Sequence, residues 1–160
     1  MATEILPRLF LGNIDDARTL PDVDTVINCT STIPFSNPHN NHIRIAIEDN
    51  GDQPKESFIL FDAIKDGTLF ARMDRVLGQG KRILVHCHAG RQRSAALVAC
   101  YLINRFNKDN PGMSNVFSAD MVIAFIVKKR REAFFGDVNF HKAVEMYEML
   151  YTNFSSKQVL

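Results

Sequence analysis

The sequence predicts a single-domain α/β sandwich, a central mixed sheet flanked by helices. Three observations carry this: short β-branched runs bounded by turn residues crowd the first half, long segments of helical period crowd the second, and no linker separates two cores. Leu9-Phe10-Leu11 reads as a strand stopped at Gly12-Asn13, and Thr25 to Cys29 as a buried β-branched strand. Ile43 to Ile47 alternates with period two, and Arg82 to Val85 follows Gly78 and Gly80 as a fourth strand. From Glu56 to Leu77 the apolar positions suit a helix that Gly67 interrupts, leaving one helix or two open. Three further helices are expected: Arg93 to Phe106, Ser118 to Arg130 capped by Ser118, and Asp137 to Tyr151 capped by Asp137. Residues 107–115, around Pro111-Gly112, read as a loop.

The 160 residues are 46% apolar and 23% charged, which suits one globular unit over 1–160 and excludes a disordered or collagen-like chain. Nineteen Lys+Arg against 18 Asp+Glu give a net charge of +1, so no global field draws the chain to nucleic acid or anionic membrane. The longest strictly apolar run, Ala95 to Ile103, is too short to span a bilayer, and Met1 to Glu4 carry no basic-then-apolar leader. A cytoplasmic protein is expected, with the nucleus the other open compartment and no integral membrane association. Three widely spaced cysteines make no disulfide framework. Cys29 and Cys100 lie in apolar patterns and read as core; Cys87 does not.

The fourth strand runs into His86-Cys87-His88-Ala89-Gly90-Arg91-Gln92-Arg93-Ser94 and then into an apolar helix. A strand, a tight turn and a helix start form a cradle in which successive backbone N–H groups face inward and the helix adds its unsatisfied donors and partial positive charge. Phosphate fits such a cradle. Cys87 opens the turn in a field that favours thiolate over thiol, and Arg93, six residues on, offers a planar fork for two phosphate oxygens. The other cysteines lack this arrangement, since six residues beyond Cys29 is Phe35 and six beyond Cys100 is Phe106. A metal site at His86-Cys87-His88 is disfavoured, because neighbours in a strand face opposite ways and no second Cys/His pair stands at zinc spacing.

His86-Cys87 through Arg93-Ser94 resembles the signature of the cysteine-dependent protein tyrosine phosphatases, in their small dual-specificity branch. Ile5 to Asn13 is similar to that family's opening strand, Val26 to Cys29 to its next strand, Ile47-Glu48-Asp49-Asn50 to its general-acid loop, and Val127 to Arg131 with Asn139 to Glu148 to its closing helices. The resemblance implies a protein-tyrosine-phosphatase-like fold, no cofactor or metal, and a two-step reaction. In it Cys87 attacks phosphorus, and the amides of residues 88–93 with the Arg93 guanidinium hold the phosphate oxygens. Ser94 helps the thiolate leave in the second step, and His86 orients the Cys87 backbone. His88, Ala89, Gly90, Arg91 and Gln92 would thus contact phosphate. Asp49 is the acid implied for the leaving oxygen, where like-charge repulsion from Glu48 and Asp52 favours its protonated form; Asp52 is its rival.

The substrates so implied are phosphotyrosine and phosphoserine or phosphothreonine proteins, with residues 31–41 as a candidate rim. Basic residues at His88 and Arg91 keep a phosphoinositide or other polyphosphate substrate open, and a non-catalytic phosphate-reading module is the remaining alternative. Lys128-Lys129-Arg130-Arg131 reads as a solvated face complementing the dipole of its helix.

Overall fold

In the computed structural model, residues 1–48, 53–111, 117–136 and 140–158 are described. Five strands, β1 (Thr3–Leu6), β2 (Leu9–Gly12), β3 (Thr25–Asn28), β4 (Asn41–Arg44) and β5 (Ile83–His86), form one sheet in the order β1-β2-β5-β3-β4. Only β1 runs antiparallel to its neighbour, so the sheet is mixed, as expected. The helices among the described residues are α1 (Ile14–Thr19), α2 (Gln53–Ile64), α3 (Thr68–Gly78), α4 (Arg93–Asp109), α5 (Ala119–Lys129) and α6 (His141–Gln158).

Strand alternation sorts the two faces of the sheet. Ile83 and Val85 of β5 join Leu9, Leu11 and Ile27 in a core shared with α2 to α6. Leu84 points the other way, into a small cluster with Val23 and Val26 that Ala17 of α1 and Leu20 partly cover. The sandwich is therefore lopsided, with one thick helical layer and one thin one. Helix α4 lies within the thick layer, and every residue from Ser94 to Ile103 is buried, which explains why its sequence is apolar on all sides.

Several elements depart from expectation. Ile5 to Asn13 is a hairpin rather than one strand: Pro7-Arg8 reverses the chain, with Arg8 at φ +69°, and Thr3 pairs with Leu11. Helix α1 escaped notice because Gly12-Asn13 reads as a turn. Asn13 is in fact its cap, accepting from the Asp16 amide while the Asp16 carboxylate accepts from the Asn13 amide, each at 2.9 Å. The period-two run from Ile43 to Ile47 marks burial rather than pairing: Ile45 and Ile47 are buried, yet β4 ends at Arg44 because β3 ends opposite it at Asn28. Gly67, at φ +78°, splits 56–77 into α2 and α3. Helix α4 runs on to Asp109, three residues into the expected loop, where Arg105 Nε donates to Asp109 at 2.9 Å. Ser118 caps α5 through the Met121 amide, as expected, whereas the Asp137 cap lies outside the described residues.

No helix among the described residues is long and apolar enough to cross a membrane.

Candidate active site

The central strand β5 delivers Cys87 to the carboxyl edge of the sheet, and α4 begins six residues later, so the turn 87–92 is anchored by a buried strand on one side and a buried helix on the other. Cys87 is only 2% exposed. Its Sγ accepts from the Gly90 amide at 3.2 Å and lies 3.1 Å from Ser94 Oγ, so the turn curls over the sulfur as the sequence implied. The Gly90 backbone takes φ +67°, and a Cβ there would meet the Gly12 carbonyl oxygen at 2.4 Å. Left-handed geometry and close packing each require glycine at this position. No side chain caps the first turn of α4, leaving its amide dipoles unopposed at the cradle.

The His86 ring is buried, and desolvation pushes its pKa below the usual histidine value, keeping it neutral near pH 7. Its Nδ1 lies 3.2 Å from the Cys87 carbonyl; a carbonyl only accepts, so the ring proton sits on Nδ1. The contact is to the Cys87 backbone. Burial raises the Cys29 thiol well above the usual range and raises Cys100 too. Both stay protonated packing groups.

A cavity of about 410 Å³ opens over the turn, lined by Cys87, His88, Ala89, Arg91, Gln92 and Arg93 on the loop side. Thr30, Thr32 and Ile33 of the β3–β4 connection, within or beside the expected rim at 31–41, also line it, as do Phe135 and Gly136. Gly90 and Ser94 are buried beneath it. The Arg93 guanidinium donates to the Ile47 carbonyl at 3.0 Å, tying the turn to the end of the Ile43–Ile47 run. Asp49 and Asp52 lie outside the described residues.

Two rim residues, Phe135 and Gly136, had no expectation attached, and one expectation, that of a solvated basic run at 128–131, holds only in part. Gln92 was read as a phosphate contact. It lines the cavity, but its side-chain amide is engaged elsewhere: Nε2 donates to the Phe135 carbonyl at 3.1 Å and Oε1 accepts from the Phe140 amide at 3.3 Å. Phe135 and Gly136 at the rim went unnoticed, because an exposed aromatic after a charged run carries no local signal. The basic run 128–131 is not uniformly solvated. Lys128, Lys129 and Arg131 are exposed, but Arg130 is 3% exposed and turned inward. Its Nε donates to the Gly90 carbonyl at 2.9 Å, and Nη1 to the Met1 carbonyl at 3.0 Å and Thr3 Oγ1 at 3.1 Å. One guanidinium thereby joins the cradle to the edge of the sheet. Its planar set of donors satisfies three acceptors, which explains why it is buried instead of hydrated.

Replacing Arg130 by methionine keeps the apolar stem but leaves the Gly90 carbonyl without its donor. The expected result is a loss of about 2 kcal/mol in urea unfolding and a fall of roughly tenfold in turnover as the cradle loosens. Arg130→Lys should restore part of both, and wild-type turnover in the methionine variant would deny Arg130 any part in holding the loop.

The profile of the dual specificity phosphatase catalytic domain matches residues 9–149. The chain belongs to that family, whose fold and cysteine-centred cradle it carries. It is 29% identical over 149 residues to a putative tyrosine phosphatase, 123R, of invertebrate iridescent virus 6, covering 91% of each chain. It is 31% identical over 102 residues to dual specificity protein phosphatase 22 of Xenopus tropicalis, covering 62% of this chain but only 47% of that protein. The solved structure of human DUSP28 superposes with a TM-score of 0.72 at 21% identity, over 94% of this chain and 95% of that one. The fold is thus the protein-tyrosine-phosphatase-like α/β sandwich that the sequence predicts.

Proposed function

We propose that this protein is a protein phosphatase that hydrolyses phosphotyrosine and phosphoserine or phosphothreonine esters through a phosphocysteine intermediate. The observation that carries this reading is the setting of the Cys87 sulfur, under the Gly90 amide and beside Ser94 Oγ, at the uncapped start of α4. The Cys87 thiolate attacks phosphorus in line with the leaving oxygen, forming the S–P bond as the P–O bond breaks. The loop amides and Arg93 hold the three non-bridging oxygens, which is most of what phosphoryl transfer asks of a protein. Asp49, with Asp52 as its rival, gives its proton to the departing oxygen, because a tyrosyl or seryl oxygen leaves poorly as an anion. The same carboxylate then takes a proton from the water that attacks the phosphocysteine, while Ser94 Oγ–H donates to the departing sulfur. Phosphate leaves, and the thiolate and protonated acid are restored.

This chemistry needs a protonated carboxylic acid at the leaving oxygen, so kcat/KM should show a basic limb, falling as that acid ionises. Measured on phosphotyrosine and phosphothreonine peptides, Asp49→Asn should lower the rate by roughly a hundredfold and abolish the basic limb, since general acid–base catalysis contributes about 10²–10⁴-fold. A basic limb that survives in Asp49→Asn and disappears in Asp52→Asn would transfer the role to Asp52.

A second reading is favoured by His88 and Arg91, both exposed and lining the cavity beside Cys87. Two extra basic groups suit a substrate with more than one phosphate, such as an inositol polyphosphate or its lipid. Faster turnover of soluble inositol phosphates than of phosphopeptides, with a selective loss in Arg91→Ala, would favour that substrate class over protein.

A further inference from the structure

Single apolar side chains on a surface are ordinary, and Phe135, 70% exposed, would need no explanation by exposure alone. Its placement does. Phe135 lines the same cavity as Cys87 and Arg93, and its backbone is fixed relative to the phosphate cradle by bonds on both sides. The Phe134 amide donates to the Arg91 carbonyl at 2.6 Å, the Phe135 amide donates to the Glu132 carbonyl at 3.2 Å, and the Gln92 side chain donates to the Phe135 carbonyl at 3.1 Å.

The chain also bends unusually here. Phe134 sits at φ +61°, a conformation unfavourable for a bulky residue, and stacks on the His141 ring at 5.3 Å between centroids. This bend separates two consecutive phenylalanines: Phe134 packs against the core while Phe135 goes to the cavity. Gly136 follows, without a side chain to cover the ring. A second apolar rim residue, Ile33, is held with equal care. Its carbonyl accepts from Asn28 Nδ2 at 2.8 Å and from Arg44 Nη2 at 2.7 Å, and its amide donates to Thr30 Oγ1 at 3.2 Å. Two loops far apart in sequence thus each present one apolar side chain on a pinned backbone to the same cavity, above a cradle built for an oxyanion.

We propose that Phe135, with Ile33 lining the same cavity, is the specificity-determining residue of this site: its ring covers the phenyl ring of a phosphotyrosine whose phosphate lies in the Cys87 cradle, so that aryl esters are favoured over alkyl ones. The inference rests on the phosphatase reading above. A phosphothreonine side chain has no flat face to offer, whereas a phenyl ring gains an aromatic contact as well as burial.

The test compares kcat/KM for a phosphotyrosine peptide and a phosphothreonine peptide of the same flanking sequence, in wild type and in Phe135→Ala, Phe135→Leu and Phe135→Tyr. The ratio of the two values should fall about five- to tenfold in the alanine variant, the size expected for an aromatic pair, with the loss on phosphotyrosine appearing chiefly in KM. Phe135→Tyr should restore the ratio and Phe135→Leu should not. A ratio unchanged by alanine, or fully kept by leucine, would overturn the role of the ring while leaving the phosphatase reading intact. A wild type inert on both peptides would remove both.

Discussion

Cys87→Ser should lower kcat/KM for an aryl phosphate by at least about a thousandfold, the scale on which losing a covalent nucleophile acts. A serine hydroxyl is a far weaker nucleophile than a cysteine sulfur at the same place, and its smaller oxygen sits farther from phosphorus. The anion cradle should survive, because its donors are the backbone of residues 88–93, the open first turn of α4 and the Arg93 guanidinium. The variant should therefore still bind a phosphotyrosine peptide, measurable by calorimetry, and melt within a few degrees of wild type. Near-wild-type turnover in this variant would end the covalent mechanism. Binding lost along with turnover would place the anion somewhere other than this cavity.

Gly90→Ala should act on both stability and catalysis. A left-handed alanine costs about 1 kcal/mol or more, and its Cβ would lie 2.4 Å from the Gly12 carbonyl oxygen, which is backbone and has little room to yield. Overpacking of this kind adds about 1–3 kcal/mol. The sum, about 2–4 kcal/mol, corresponds to a fall of roughly 5–15 °C in Tm for a domain of this size. Either the turn or the end of β2 must shift, and a shift of the turn moves the Gly90 amide off the Cys87 sulfur and the Gly90 carbonyl off Arg130. Turnover should drop at least tenfold even at temperatures where the variant stays folded, as misplaced catalytic groups forfeit their alignment. Thermal melting and steady-state kinetics on the same preparation separate the two effects. A Tm equal to wild type would mean that the Gly12 contact is easily relieved.

The two variants probe groups of different legibility. Cys87, Arg93 and Ser94 sit on one contiguous strand–turn–helix, and the physics that assembles them is local. A buried strand aims the thiol, a fixed spacing lets the turn close, and the apolar helix supplies its dipole. The strands β2, β3 and β5 and the helical character of 56–77 were legible for the same reason, since apolar period and turn residues act over a few positions; whether Gly67 divides that stretch was left open until the structure placed it. Helix α1 carried a local signal as well, the Asn13–Asp16 capping box, hidden by a Gly-Asn pair that reads equally well as a turn.

Elsewhere a local pattern was ambiguous until its neighbours were placed. The isoleucines at 43, 45 and 47 marked a path into the core whose strand pairing stops at Arg44, one residue before Ile45, because the length of β4 is set by where β3 ends. Arg130 looked like any other member of a basic run, since a guanidinium that meets water and one that meets a carbonyl are written with the same letter.

The sequence by itself determined the strand–turn–helix around Cys87 and the central strands that hold it, because those depend on interactions between residues close along the chain. Only the tertiary structure decided what surrounds them: Arg130 braced under Gly90, the Gln92 side chain bonded to the backbone of Phe135 and Phe140, and Phe135 and Ile33 brought to one cavity. Each of those contacts joins segments some forty or more positions apart. Such segments meet only when α4 packs against α5 and the turn that follows it, and no periodicity within either one carries that information.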